Sequence, residues 1–148
     1  NIDDMKKYTI KSLKNNDPVW FGCDVGKMFH RDVGVMDTKL YNYELTFGTD
    51  SDMDKSTRLE YGDSQMTHAM LFTGVDIRHK NPIKWRVENS WGTKGGCKGY
   101  YLMTDQWFDQ YNYEVVIDKK YLPLKIKKLF DKKPVSLNPW DPMGALAK

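Results

Sequence analysis

Residues 66–92 read MTHAMLFTGVDIRHKNPIKWRVENSWG, and the alternation inside this stretch sets the fold class. In IKWRVEN, residues 83–89, the side chains of Ile83, Trp85, Val87 and Asn89 fall on one face, and Lys84, Arg86 and Glu88 fall on the other. That is the period-two pattern of a half-buried strand, and Asn89 ends its buried face. THAMLFTGV, residues 67–75, is mostly apolar and holds β-branched and aromatic residues, so it reads as a neighbouring strand with His68 near its start. Polar, Pro-containing RHKNP, residues 78–82, makes the turn between the two.

Outward from this pair the pattern continues. Ile2, Met5, Tyr8 and Leu13 give an amphipathic helix over the first fifteen residues, which Asn15, Asn16 and Pro18 terminate. VWFGC (19–23) is a short buried strand, and the Thr, Ser and Asp run between Gly48 and Ser64 is a polar loop. Thr104 caps a short helix through Tyr111, and YEVVI (113–117) follows as a further strand. Lys-rich LKIKKLFDKK (124–133) leads into a tail with Pro134, Pro139 and Pro142, too proline-rich for a helix or a central strand and therefore extended. The expected class is α+β, with antiparallel strands and peripheral helices: one body over 1–130 and an extended arm over 131–148.

His68 and Asn89 are the residues with chemical promise. A Cys-His-Asn site needs a histidine to take and return the proton of a thiol, and an amide to hold the imidazole in orientation. Taken alone, His68 reads as a satisfied core histidine and Asn89 as a turn residue. The surrounding words reverse that.

THAM and ENSWG resemble the catalytic His and Asn segments of the papain superfamily, and more closely of the bleomycin hydrolase family, the aminopeptidase C group. PVWFGCDVGKMF (18–29), LYNYELTFG (40–48), GYYLMT (99–104) and the terminal PWDPMGALAK (139–148) resemble the C-terminal half of that family too. The resemblance spans most of the 148 residues and implies the β-rich half of a papain-like fold. It also implies a cysteine aminopeptidase site in which His68 is the base and Asn89 orients it. Trp91 would then cover their hydrogen bond; excluding water strengthens such a bond. Peptides with a free N-terminus are the implied substrates, with no metal or organic cofactor. The implied assembly is a homohexamer. In this family the C-terminal arm lies in its own active-site cleft and its terminal carboxylate limits the depth of that cleft. Lys148 is then expected to be removed, leaving Ala147 as the working carboxylate.

A nucleophile is missing from that site. Papain-type cysteines precede their His and Asn by roughly 130 to 150 residues, in a Cys-Gly-Ser/Ala-Cys-Trp/Tyr type of context. Only 67 residues precede His68, and the first residues, from Asn1, already resemble the family's interior. The expectation is a C-terminal piece of a longer enzyme, inactive without an N-terminal half that carries the cysteine. Cys23, in FGCDVG after a buried strand, reads as an inert packed thiol; Cys97, in Gly-rich GGCKG, reads as an exposed bystander. His30 and His79 read as surface histidines.

Composition fits a single globular core, with 40% hydrophobic, 14% aromatic and 29% charged residues. No apolar run approaches the ~18 residues of a membrane span, and the two cysteines lack disulfide-scaffold or metal-ligand spacing, which points to a reducing, cytoplasmic location. Lys125, Lys127, Lys128, Lys132 and Lys133 make a solvated face or a weak nucleic-acid contact, and a net charge of +3 is too small to favour the second. Leu124, Ile126, Leu129 and Phe130, interleaved with them, suggest an amphipathic segment docking on protein. A nucleic-acid-binding module and a catalytically silent assembly domain are the alternatives to the peptidase reading. Salt-dependent retention on nucleic acid would mark the first, and failure of an added N-terminal half to restore activity would mark the second.

Overall fold

The computed structural model describes residues 1–48 and 53–141. Among these residues, seven strands form one sheet: β1 (Val19–Cys23), β2 (Phe29–His30), β3 (Val35–Met36), β4 (His68–Arg78), β5 (Asn81–Glu88), β6 (Tyr100–Thr104) and β7 (Asn112–Val116). Their spatial order is β2-β3-β6-β5-β4-β1-β7. All neighbours are antiparallel except β3 and β6, which run parallel. The β4–β5 hairpin therefore sits at the middle of the sheet, as its apolar alternation requires.

The hairpin turns on two residues, His79 and Lys80, with φ of 49° and 71°. Two successive positive-φ residues match the right-handed twist of the flanking strands, which is why a two-residue loop works here without glycine. Asn81 and Pro82, expected in the turn, belong to β5. Ile83, expected on the buried face, stands exposed near the hairpin tip, whereas Trp85, Val87 and Asn89 are buried.

Register explains the core. Cys23 pairs with His68, Phe21 with Met70 and Val19 with Phe72, and Phe72 pairs in turn with Val87, so alternate residues of β1, β4 and β5 share one covered face. Phe21 and Phe72 stack with ring centroids 3.8 Å apart, and Phe108 stacks on Trp85 at 4.8 Å. Burying side chains of this size contributes roughly 1.5–3 kcal/mol each, so this aromatic layer dominates the stability of the sheet.

Two helices close that face. Helix α1 (Ile2–Leu13) is capped by Asn1, whose Oδ1 accepts from the Asp4 amide, and buries Tyr8, Thr9 and Ser12. Two short helices then follow, α2 (Tyr43–Phe47) and α3 (Lys55–Glu60). Helix α4 (Asp105–Tyr111) is capped as expected, the Thr104 hydroxyl accepting from the Trp107 amide at 3.3 Å. Lys6 of α1 lies 2.7 Å from Asp105 and 2.6 Å from Asp109, tying the two closing helices together with a largely buried ammonium.

One further expectation needs correction. The segment read as a polar loop from Gly48 to Ser64 contains α3, whose N-cap Asp54 accepts from the Thr57 amide at 2.7 Å; a good cap suffices to start a short helix without an apolar stripe. The Lys-rich segment forms α5 (Leu124–Lys127) and a 3₁₀ turn (Lys128–Asp131), on which Leu124, Leu129 and Phe130 stand exposed. Residues 132–141 carry no helix or strand. Ala147 and Lys148 lie outside the described residues.

Candidate active site

His68 opens β4, and Asn89 directly follows β5, so the central hairpin brings the two to the same end of the sheet. The His68 Nε2 to Asn89 Oδ1 distance is 2.9 Å. The Ser90 amide donates to the same Oδ1 at 2.8 Å, which fixes the amide orientation, since its nitrogen there would face a second donor. An oxygen facing Nε2 can only accept, so Nε2 carries the ring proton and Nδ1 is the nitrogen left to take one.

Asn89 is held by the sheet rather than by its own strand. Its amide donates to the Gly99 carbonyl at 3.2 Å, and Gly99 sits at φ +89°, where an added Cβ would come within 2.8 Å of the Gly92 carbonyl oxygen. Only glycine tolerates that approach, so the Gly-rich loop before β6 is part of what places the amide. Asn89 is 8% exposed, and its Nδ2 finds no acceptor among the described residues. Burial keeps water from competing for the His68–Asn89 bond.

Trp91, in the loop after β5, packs against the His68 ring. Its ring centroid lies 4.8 Å from that of His68, and the Arg31 guanidinium stacks 4.9 Å from the Trp91 ring. The three residues singled out from sequence are thus brought together, while Arg31 was not foreseen; it is 60 positions away and no local pattern marks it.

Among the described residues, neither cysteine joins them as a nucleophile. Cys23 is the ladder partner of His68, but its side chain is fully buried on the core face, and burial, with the Asp24 charge beside it, pushes the thiol far above the usual range. A thiol kept protonated is no nucleophile. Cys97 is exposed in the loop before β6, and the ring partners of His68 are Asn89 and Trp91. His30 is an exposed residue whose Nδ1 accepts from the Val33 amide, and His79 lies in the hairpin turn. Among the described residues no three His, Cys, Asp or Glu side chains are placed to hold a metal ion. No helix among them is long and apolar enough to cross a membrane.

A recess of about 630 Å³ is lined by Lys27, Tyr41, Tyr43, Arg58, Asp63 and Tyr111 among others, and one of about 530 Å³ lies over Trp85 and Arg86; neither includes His68 or Asn89. A base and its orienting amide, without a nucleophile, make one wall of a catalytic cleft.

Comparison with known proteins supplies the context of that wall. The family model described as Peptidase C1-like family matches residues 1–144. Bleomycin hydrolase of Mus musculus is 50% identical over 99% of this chain, and aminopeptidase C of Lactobacillus delbrueckii subsp. lactis is 47% identical over 99%. The chain covers 33% of the length of each. The crystal structure of PepW from Lactobacillus rhamnosis HN001 superposes with a TM-score of 0.92 at 53% identity, over 99% of this chain and 33% of that one. The sheet, the closing helices and the family match agree: this chain belongs to the Peptidase C1-like family, has the β-rich half of a papain-like fold, and corresponds to the C-terminal third of bleomycin hydrolases and aminopeptidases C.

Proposed function

We propose that this chain supplies the base, its orienting amide and their aromatic cover to a cysteine aminopeptidase whose nucleophile resides on a preceding N-terminal part. The observation that carries the reading is the His68–Asn89 hydrogen bond of 2.9 Å, together with two free cysteines of which Cys23 is buried and Cys97 exposed. The tautomer it implies leaves Nδ1 to accept the proton of an incoming thiol. In the acylation step the thiolate attacks the peptide carbonyl and His68 protonates the leaving amine; in deacylation His68 takes a proton from water. Asn89 keeps the imidazole in plane, and Trp91 keeps water off the bond between them.

On this reading the chain is inactive by itself. Its substrates are peptides with a free N-terminus, its partner is the N-terminal part, and the assembly is a cytoplasmic homohexamer. The carboxylate anchor at Ala147, exposed by removal of Lys148, belongs to the same proposal. Attraction of a cationic amine to that carboxylate would select aminopeptidase over endopeptidase action.

The test joins this chain to the N-terminal two-thirds of a family member and measures hydrolysis of an aminoacyl amide. Activity in the joined enzyme and none in the chain alone is the expected result. An isolated chain that hydrolyses the amide, and loses this with Cys23→Ala, would overturn the assignment of roles.

A further inference from the structure

We infer that Asp24 is a positioning residue for His68, acting through the segment that leads into β4. The inference rests on the catalytic reading of His68 for its kinetic consequence, but the geometry that carries it does not. His68 is the first residue of its strand, and residues 64–67 before it have no helix or strand of their own. Where the imidazole stands therefore depends on what pins those four residues.

Asp24 pins three of them. It is 5% exposed, and its Oδ2 accepts from the Ser64 hydroxyl at 2.8 Å and the Gln65 amide at 3.4 Å, while Oδ1 accepts from the Thr67 hydroxyl at 3.4 Å. The neighbouring Cys23 carbonyl accepts from the Thr67 amide at 3.0 Å. Met66, the remaining residue, lies so close over Gly22 that a Cβ there would stand 2.1 Å from its sulfur. Gly22, Cys23 and Asp24 thus grip all four residues from β1 and the turn after it. Asp24 is itself anchored, its amide donating to the Tyr111 carbonyl at 3.0 Å at the end of α4.

The choice of a carboxylate is informative. No cation pairs with Asp24 among the described residues, so its burial is offset only by these donors. An apolar side chain would fill the volume without that desolvation cost. What the carboxylate adds is direction: it holds 64–67 in one arrangement, and through them the entry of His68. Ser64 Oγ also reaches the Tyr113 hydroxyl, extending the lock to β7.

The experiment reads the His68 ring directly, by nitrogen-15 imidazole spectra of the chain, and then kinetics of the joined enzyme. Asp24→Ala should replace the single Nε2–H tautomer of His68 with exchange-averaged signals and lower kcat about 10²-fold with little change in KM, the cost typical of a misplaced catalytic group. Asp24→Asn, which keeps one acceptor, should retain most of both. Should Asp24→Ala not fold, Ser64→Ala and Thr67→Val remove single donors and should move the same signals in the same direction by less. Val19→Ala, at the far end of β1, should lower stability and leave the His68 signals unchanged. Wild-type His68 signals in folded Asp24→Ala, or in both single-donor variants, would overturn the inference, as would an equal disturbance by Val19→Ala. An inactive joined enzyme whose His68 signals still respond to Asp24→Ala would refute the catalytic reading and leave the positioning role standing.

Discussion

Cys23 lies directly across the β1–β4 ladder from His68, yet its thiol points into the core and is fully buried. Proximity along a ladder is therefore not a catalytic relationship, because the thiol is shielded from solvent and held protonated. Alkylation of the native chain should add one group, at exposed Cys97, and a second only after unfolding. Intact mass followed by peptide mapping checks this, and rapid modification of Cys23 in the folded chain would contradict it.

The aromatic layer should dominate stability. Phe72 is fully buried against Phe21, Trp85 and Phe108, so Phe72→Ala should cost about 3–5 kcal/mol by transfer and cavity terms together. Urea unfolding of the two chains measures it. A loss below about 1 kcal/mol would mean that the site collapses around the missing ring.

Lys55 sets a pH dependence of unusual sign. Its ammonium donates to the Asp109 and Asn112 carbonyls, yet burial, only partly offset by the Asp109 charge, brings its pKa from 10.5 down to about 8. Below pH 8 the group is charged in both states, and its burial opposes folding. Between pH 8 and 10.5 the folded chain has released a proton that the unfolded chain still binds, so this group makes stability rise with pH. The stability of the wild type relative to Lys55→Met should increase across that window, read from urea midpoints, and a flat or falling difference would contradict the assignment.

Much of this was legible in sequence because it is local. The strand alternation of 83–89 and the polar turn gave the hairpin, whereas the His68–Asn89 pair and Trp91 came from the resemblance of THAM and ENSWG to known catalytic segments. The cap at Thr104 was readable for the same reason. Helix α3 was not, since only Arg58 is buried in KSTRLE and no apolar stripe exists to see; Asp54 as an N-cap was the available signal. Strands β2 and β3 are two residues each and too short for any period to register. Asp24 and Arg31 act through partners tens of residues away, and the sequence around each draws attention elsewhere: FGCDVG to its thiol, FHRDVG to its histidine.

Trp91 should matter through the bond it covers. Trp91→Ala opens the His68–Asn89 contact to water and frees the Arg31 guanidinium stacked on the indole. In the joined enzyme kcat should fall while KM changes little, and Trp91→Phe should recover part of the loss. An unchanged kcat in Trp91→Ala would show that burial of Asn89 alone protects the bond.

The relation between base and orienting amide bears most directly on the proposed role of this chain. Turnover of an aminoacyl amide by the joined enzyme should fall by about 10² to 10⁴-fold in His68→Ala, the range of general acid-base catalysis, and by less in Asn89→Ala. The difference arises because His68 transfers a proton in each step, whereas Asn89 only holds its ring. Undiminished turnover in folded His68→Ala would contradict the account at its centre, and equal losses in the two variants would contradict the division of roles between them.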